Sequence, residues 1–522
     1  MKELISHRTF LPAVERWSTK VAIHDADHHA TFAEYGDRVL RLANALKTQL
    51  GVKRADRVAV MSTNSHQFLE VYQACYLGAG IVNPLNLRLA GKELQFILAD
   101  SGTEVVFVDS WFAEHFARSI DAVRAELPVR QVVLMGDGDM PHDVKYEDLV
   151  EAGEPRIPEE PEEEDPVILM YTGGTTGLPK GALLDQRAEA LNLYHIGMTV
   201  GFRDSRIYLH QTPMFHAASM AAVLGIPATG GMSVFVPLFE PVAVMEQIEK
   251  YQVNWTTMVP TMIAMVMDHP EFRPERLASL QDLVYGASPM PAALLDRIMA
   301  ALPHVGVWQG YGMTESSSVL TFLTDRDHEL GGPRLRSAGR PVTGVIISVQ
   351  DADGKVLPTG EDGEICARAG NLMQSYWRRP EETAAAMKGG WYHTGDEGHV
   401  DAEGYVYLVD RVKDMIVTGG ENVYSIEVEN ALSTHPAVEQ VAVIGIPDEK
   451  WGEKVHAVVV LRSGASVTEA ELTDYARSLI ANYKVPKSIE FRRDPLPLSG
   501  AMKPLKRELR RPYWEGKGVS VG

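Results

Sequence analysis

The run VILMYTGGTTGLPKGALL, residues 167–184, decides how the rest of the chain is read. An apolar stretch, Val167 to Tyr171, leads into Thr172, Gly173, Gly174, Thr175, Thr176, Gly177 and Lys180. The apolar stretch reads as a strand that delivers the chain into a loop suited to a polyphosphate. Glycines let successive N–H groups converge on an anion, and threonine hydroxyls add donors. The loop is not a P-loop, because G-x-x-x-x-G-K-[ST] needs a hydroxyl residue after the lysine and Gly181 follows Lys180. A lone glycine-rich turn after a strand is commonplace, so its meaning depends on what surrounds it.

Upstream, RVAVMS (57–62), TEVVFVD (103–109) and RQVVLMG (130–136) read as short strands separated by helical stretches such as HQFLEVYQACYLGAG (66–80). That alternation predicts an α/β body with a mostly parallel sheet. EPRIPEEPEEEDP (154–166) reads as a solvated loop, since prolines and like charges oppose packing. Downstream, LQDLVYGASPMPAALLDRIMAAL (280–302) repeats the strand, turn and helix order, with Pro291 opening the helix. A boundary falls near YVYLVDRVKDMIVTGG (405–420), beyond which VEQVAVIGI and KVHAVVVLR read as strands and SIEVENALSTH and TEAELTDYARSLIANY as helices. The expected organisation is a large N-terminal layered domain over 1–409, a hinge at 410–413 and a small mobile α+β domain over 414–522.

Fifty Lys and Arg against seventy Asp and Glu leave a net charge of −20, which repels polyanions and excludes nucleic acid as a partner. A nucleotide's phosphates would instead need a local cradle of backbone donors with one or two cations. Cys75 and Cys366 are the only cysteines, so neither a disulfide framework nor a cysteine zinc site is expected, and a reducing cytoplasm is. MKELISHRTFLPAVERW has no signal-peptide core, and no run of membrane-spanning length follows, so no integral membrane segment is expected. A homodimer is left open.

Three further stretches give the loop its context: WQGYGMTE (308–315), WYHTGD (391–396) and DRVKD (410–414). With YTGGTTGLPKG, in this order, they resemble the adenylate-forming (AMP-binding) superfamily, and GGENVYSIEVENAL (419–432) resembles its acyl-CoA synthetase branch. The resemblance implies an acid–thiol ligase. Such an enzyme activates a carboxylic acid with ATP and Mg²⁺ to an acyl-adenylate, releasing pyrophosphate, and passes the acyl group to CoA with release of AMP. Two anions must meet in the first step, so cations and oriented N–H groups have to neutralise charge as it redistributes.

By resemblance, Thr172 to Gly177 cradle the β- and γ-phosphates and Lys180 closes the loop. Thr314 meets the α-phosphate, and Glu315 holds Mg²⁺ through hard carboxylate oxygens. Tyr311 lies against adenine opposite Gly286, Ala287 and Ser288, while Asp396 and Arg411 hold the ribose hydroxyls. His216 borders the acyl site and positions substrate without serving as an essential base. Lys413 is the hinge. Lys503 bridges carboxylate and α-phosphate in one pose of the small domain; in the other, Gly419 and Gly420 line the pantetheine channel and Trp451 contacts CoA. Met214, Met220, Ala287, Trp308 and Gly310 are expected around the acid, a short or medium aliphatic one in preference to an aryl acid.

Two departures from the family pattern stand out. Gly173 replaces a common serine, which keeps the backbone donors. Met502 and Pro504 flank Lys503 where relatives carry glycine and an aliphatic residue. A glycine there would suit positive φ, which methionine adopts only with strain. The expectation is that the loop adopts a compatible conformation and adenylates normally; the same departures leave open an ATP-dependent amide ligase, or a nucleotide-binding relative with impaired adenylation.

Overall fold

A computed structural model describes residues 4–515 apart from 158, 173–178, 289, 412–415, 419–420, 449–450, 500–501 and 503. The apolar runs 57–62, 103–109 and 130–136 form strands Arg57–Met61, Val105–Asp109 and Gln131–Met135, neighbours in an eight-stranded sheet. They pair in parallel. Val105 to Asp109 are all buried, the pattern expected where helices cover both faces. Pro166–Thr172 lies in the same sheet and is followed by its antiparallel partner Lys180–Asp185, in a register that sets Thr172 opposite Lys180. The phosphate-type loop therefore joins two strands of a hairpin, and residues 173–178 at its tip lie outside the described residues.

A second, nine-stranded sheet carries Ile207–His210, Trp255–Met258, Asp282–Gly286 and Gly306–Tyr311 side by side in parallel. Its strand ends deliver the YGASP and WQGYGMTE motifs to the same edge of the sheet. The helix Ala292–Ala301 starts directly after Pro291, as the sequence pattern implies. A four-stranded antiparallel sheet, Ile346–Gln350, Gly363–Arg368, Tyr392–Val400 and Val406–Arg411, presents HTGD. The smaller C-terminal domain has its own five-stranded sheet built on the long hairpin Val438–Asp448 and Gly452–Leu461. Ser425–Ser433 and Glu469–Leu479 cover a separate core that holds Val428, Leu432 and Leu472, and the helix Lys506–Trp514 packs on Val438–Asp448 through Leu509.

The acidic stretch before the hairpin is a loop, but it is fastened rather than free. Glu159 pairs with Lys47 at 2.6 Å, Asp165 pairs with Arg54, and Glu163 and Glu164 each meet Arg187 at 2.9 Å. Among the described residues no helix is long and apolar enough to cross a membrane.

Candidate active site

The two sheets, the HTGD strand and the C-terminal segment surround a cavity of about 1520 Å³. Thr172, Lys180, His216, Gly286, Ala287, Ser288, Thr314, Glu315 and Asp396 all border it. Residues far apart in sequence thus converge on one space. Gly173, Gly174, Thr175, Thr176, Gly177, Lys413, Gly419, Gly420 and Lys503 fall outside the described residues. Arg411 stands opposite Asp396 in strand register.

Gly286 and Gly310 face each other on neighbouring strands. A Cβ on Gly286 would lie 2.3 Å from the Gly310 carbonyl oxygen, so only glycine fits. The next residue, Ala287, takes φ 65°, a left-handed conformation costly for a residue with a Cβ. Such strain persists where the surroundings over-determine the backbone.

Tyr311 is buried, and its hydroxyl donates to Asp396 Oδ2 at 2.7 Å. The aspartate loop is further held by Glu364, whose Oε1 accepts from the Gly395 N–H at 3.1 Å and whose Oε2 lies 2.7 Å from His393 Nδ1. Thr394 Oγ1 donates to the Ile365 carbonyl at 2.7 Å and accepts from the Asp396 N–H at 3.1 Å. Gly395, at φ 71°, makes the turn possible.

Glu315 Oε1 accepts a 2.8 Å hydrogen bond from the Tyr376 hydroxyl, and its carbonyl accepts from the Met373 N–H at 2.7 Å. Burial, with the Glu315 charge beside it, raises the Tyr376 hydroxyl well above its ordinary pKa, so Tyr376 remains a donor. The Lys180 ammonium lies 5.5 Å from the centre of the same ring. Carboxylate, phenol and ammonium therefore meet at one corner of the cavity. Glu315 offers hard oxygen donors there, a donor set that fits Mg²⁺.

Below that corner runs a strained turn, with φ 54° at Ser317 and 137° at Ser318. Two buried amides secure it. Asn371 Nδ2 donates to the Ser316 and Val319 carbonyls, both at 2.8 Å, and Asn192 Nδ2 donates to the Ser317 carbonyl at 3.0 Å. Glu189 lies alongside and accepts from the Tyr76 hydroxyl at 3.2 Å; full burial pushes its carboxyl up to about 8. His216 Nδ1 accepts from the Ala218 N–H at 3.2 Å, which places the proton of a neutral ring on Nε2.

Ala287 and Gly310 border the cavity as expected, but Met214, Met220 and Trp308 do not. Both methionines are wholly buried in the core, and Trp308 is held away by a 2.8 Å hydrogen bond from its indole to Asp282. Ile196, Tyr208, Ala222, Trp255 and Phe322 line the apolar wall instead. Trp451 is half exposed at the end of the small domain's hairpin, its backbone N–H donating to Asp448 Oδ1 at 3.0 Å.

The C-terminal part of the chain contributes residues 497–499, 502, 504 and 505. Leu505 N–H donates to the Pro497 carbonyl at 2.8 Å, and Leu498 bridges Pro504. Ser499, Pro504 and Leu505 border the cavity. Met502 adopts φ 61°, the left-handed conformation at which glycine is at ease, and a methionine there costs ~1–2 kcal/mol. Its side chain is 9% exposed and joins the large body's apolar cluster that holds Met258, Val259 and Met262.

Sequence reasoning missed Tyr376, Glu364, Asn192 and Asn371. Each acts on a motif from a distant segment, and none lies within a motif that signals its role.

The chain belongs to the AMP-binding enzyme family: residues 10–377 match AMP-binding enzyme, and residues 427–503 match the AMP-binding enzyme C-terminal domain. It is 39% identical over 485 residues to the feruloyl-CoA synthase of Amycolatopsis sp, covering 92% of this chain and 94% of that one. It is 36% identical over 494 residues to the long-chain-fatty-acid–CoA ligase FadD13 of Mycobacterium tuberculosis, covering 93% and 94%. Its structure is similar to that of ATP-bound MatB from Rhodopseudomonas palustris, with TM-score 0.88, 28% identity and 99% of each chain covered. Within the family it stands in the acyl-CoA synthetase branch of the adenylate-forming enzymes.

Proposed function

We propose that this chain is an AMP-forming acyl-CoA ligase for an apolar monocarboxylic acid, with aryl acids ahead of straight-chain ones. The observation that carries the reading is the convergence of Thr172, Lys180, Thr314, Glu315 and Asp396 on one cavity whose other wall is apolar. ATP enters with its base against the Gly286–Ser288 backbone, in front of the buried Tyr311, and its ribose hydroxyls on Asp396 and Arg411. The loop from Thr172 to Gly177, with Lys180, receives the terminal phosphates, and Thr314 meets the α-phosphate. Glu315 holds Mg²⁺, which neutralises charge on the phosphates when bound. Lys503 bridges the acid's carboxylate and the α-phosphate. The acid oxygen attacks phosphorus, the bond to pyrophosphate breaks, and the CoA thiol then displaces AMP from the acyl carbon. Lys413, Gly419, Gly420 and Trp451 serve the second half-reaction as hinge, channel and CoA contact.

The preference for an aryl acid rests on the wall. Tyr208 and Trp255 meet edge to face with centroids 5.4 Å apart, and Ala222 leaves room beside them. Such rings favour a flat apolar partner. The short or medium aliphatic acid expected from the sequence is the competing reading, and Met258, Met265 and Met313 at the same cavity would suit it. A cytoplasmic setting accords with two buried free thiols, Cys75 and Cys366. A homodimer would cover the exposed Tyr194 and Met198, one turn apart on the helix Gln186–Thr199.

The test is to incubate a panel of aryl and aliphatic acids with Mg-ATP, follow pyrophosphate, and then add CoA. Pyrophosphate release with aryl acids and a thioester on adding CoA is the expected result. Release without any thioester, or a thioester only from straight-chain acids, overturns the corresponding part of the proposal.

A further inference from the structure

Met502 holds a backbone conformation that its side chain disfavours, so something outside the residue must keep it there. Three features of the large body do so. Thr261 Oγ1 donates to the Met502 carbonyl at 2.7 Å. Arg88 donates from Nη1 to the Ser499 carbonyl at 2.9 Å and brings Nη2 to 3.3 Å from Met502 Sδ. The side chain itself is buried among large-body residues, although it belongs to the C-terminal segment. A thioether is unbranched and polarizable, which suits it to an irregular apolar gap and to the edge of a guanidinium.

We infer that Met502 is a positioning residue for the activation step: an apolar peg that, with Arg88 and Thr261, fixes Ser499 and Met502 on the large body. The inference rests on the proposed role of Lys503, the residue that follows the peg. The two effects of Met502 oppose each other. Its φ strains the segment, and its side chain anchors it. Glycine at this position relieves the strain and removes the anchor, so Met502→Gly separates them.

The experiment uses the full chain and an acid on which it releases pyrophosphate. Initial rates of pyrophosphate release are measured for the parent, Met502→Gly, Met502→Leu and Thr261→Val. Thioester formation from supplied acyl-adenylate and CoA is measured for the same set, together with thermal melting. Met502→Gly is expected to lower kcat for pyrophosphate release at least tenfold. Its KM for ATP should stay within twofold, and its thioester formation from supplied adenylate should not change. Met502→Leu, which keeps the apolar volume, should recover the rate to within about threefold. Thr261→Val should fall about fivefold. A Met502→Gly enzyme as fast as the parent, a Met502→Leu enzyme as slow as Met502→Gly, or equal loss of both half-reactions would overturn the inference. Lys503→Ala marks the other failure: if it releases pyrophosphate at the parental rate, the role of Lys503 itself falls, whatever the Met502 variants do.

Discussion

Tyr376 and Glu315, 61 residues apart, are joined by a 2.8 Å hydrogen bond from phenol to carboxylate at the corner where Lys180 also sits. The bond aims one carboxylate oxygen and leaves the other for a cation. A hydrogen bond to a charged group contributes roughly 1.5–3 kcal/mol. Tyr376→Phe should therefore lower pyrophosphate release about tenfold and raise the Mg²⁺ concentration needed for half-maximal rate. Rates titrated against Mg²⁺ check this; an unchanged Mg²⁺ dependence would remove Glu315 from the metal role.

The bond from Tyr311 to Asp396 predicts a different signature. Tyr311→Phe leaves the carboxylate in place but releases its orientation. With Asp396 on the ribose as proposed, the KM for ATP should rise about tenfold while kcat changes little, because such binding is felt equally in ground and transition states. A loss confined to kcat would argue that Tyr311 acts on the reacting phosphate instead.

Asn371 supports the turn after Glu315 through two carbonyls. Each buried acceptor left without its donor costs about 1–3 kcal/mol. Asn371→Ala should lower the melting temperature and activity together. Gly312→Ala is the harsher change, since its Cβ would lie 2.2 Å from the Ser318 carbonyl oxygen. We expect it to abolish pyrophosphate release, with little loss of helix content by circular dichroism. Wild-type rates in Gly312→Ala would show that the turn can move without consequence.

Stability should fall toward both ends of the pH range, for separate reasons. Glu189, held near 8 by burial against an ordinary 4.5, keeps its proton in the fold and sheds it when unfolded. Its contribution is full below about 4.5 and is lost as pH rises toward 8. His210, stacked on Phe235 and pushed down to about 3 by burial, behaves in the opposite sense. Its contribution is full above about 6.5 and is lost as pH falls toward 3. Denaturant midpoints from pH 4 to 9 for Glu189→Gln should lack the alkaline decline. A parallel decline in the variant would assign it to other groups.

The residues that border the cavity were legible wherever a short motif names both the side chain and its turn. YGMTE and HTGD place Glu315 and Asp396 on the cavity from sequence alone, and the strands 57–62, 103–109 and 130–136 declare themselves by unbroken apolar runs. Met502 was legible only in part: the sequence raises positive φ there but favours a compatible loop, whereas the residue takes φ 61°. What was hidden lies across long separations. Tyr376 reaches Glu315, and Glu364 reaches Gly395, only because antiparallel strands and turns bring them together. No periodicity reports such a meeting. Met214, Met220 and Trp308 misled because an apolar residue near a motif looks the same whether it faces a cavity or the core behind it. The acidic stretch 154–166 was read as solvated because partners such as Lys47, Arg54 and Arg187 are remote in sequence.

The backbone approach of Gly286 to Gly310 sets a division of labour for the whole chain. One part of the cavity floor is dimensioned by peptide groups, whose spacing the sheet dictates and no side-chain exchange can adjust. The apolar wall, by contrast, is made of replaceable side chains such as Ala222 and Phe322. Mutations that refit the wall to a new acid can therefore accumulate while the neighbouring floor keeps its gauge. In such a scaffold the shape of the wall is open to drift, and the shape of the floor is not.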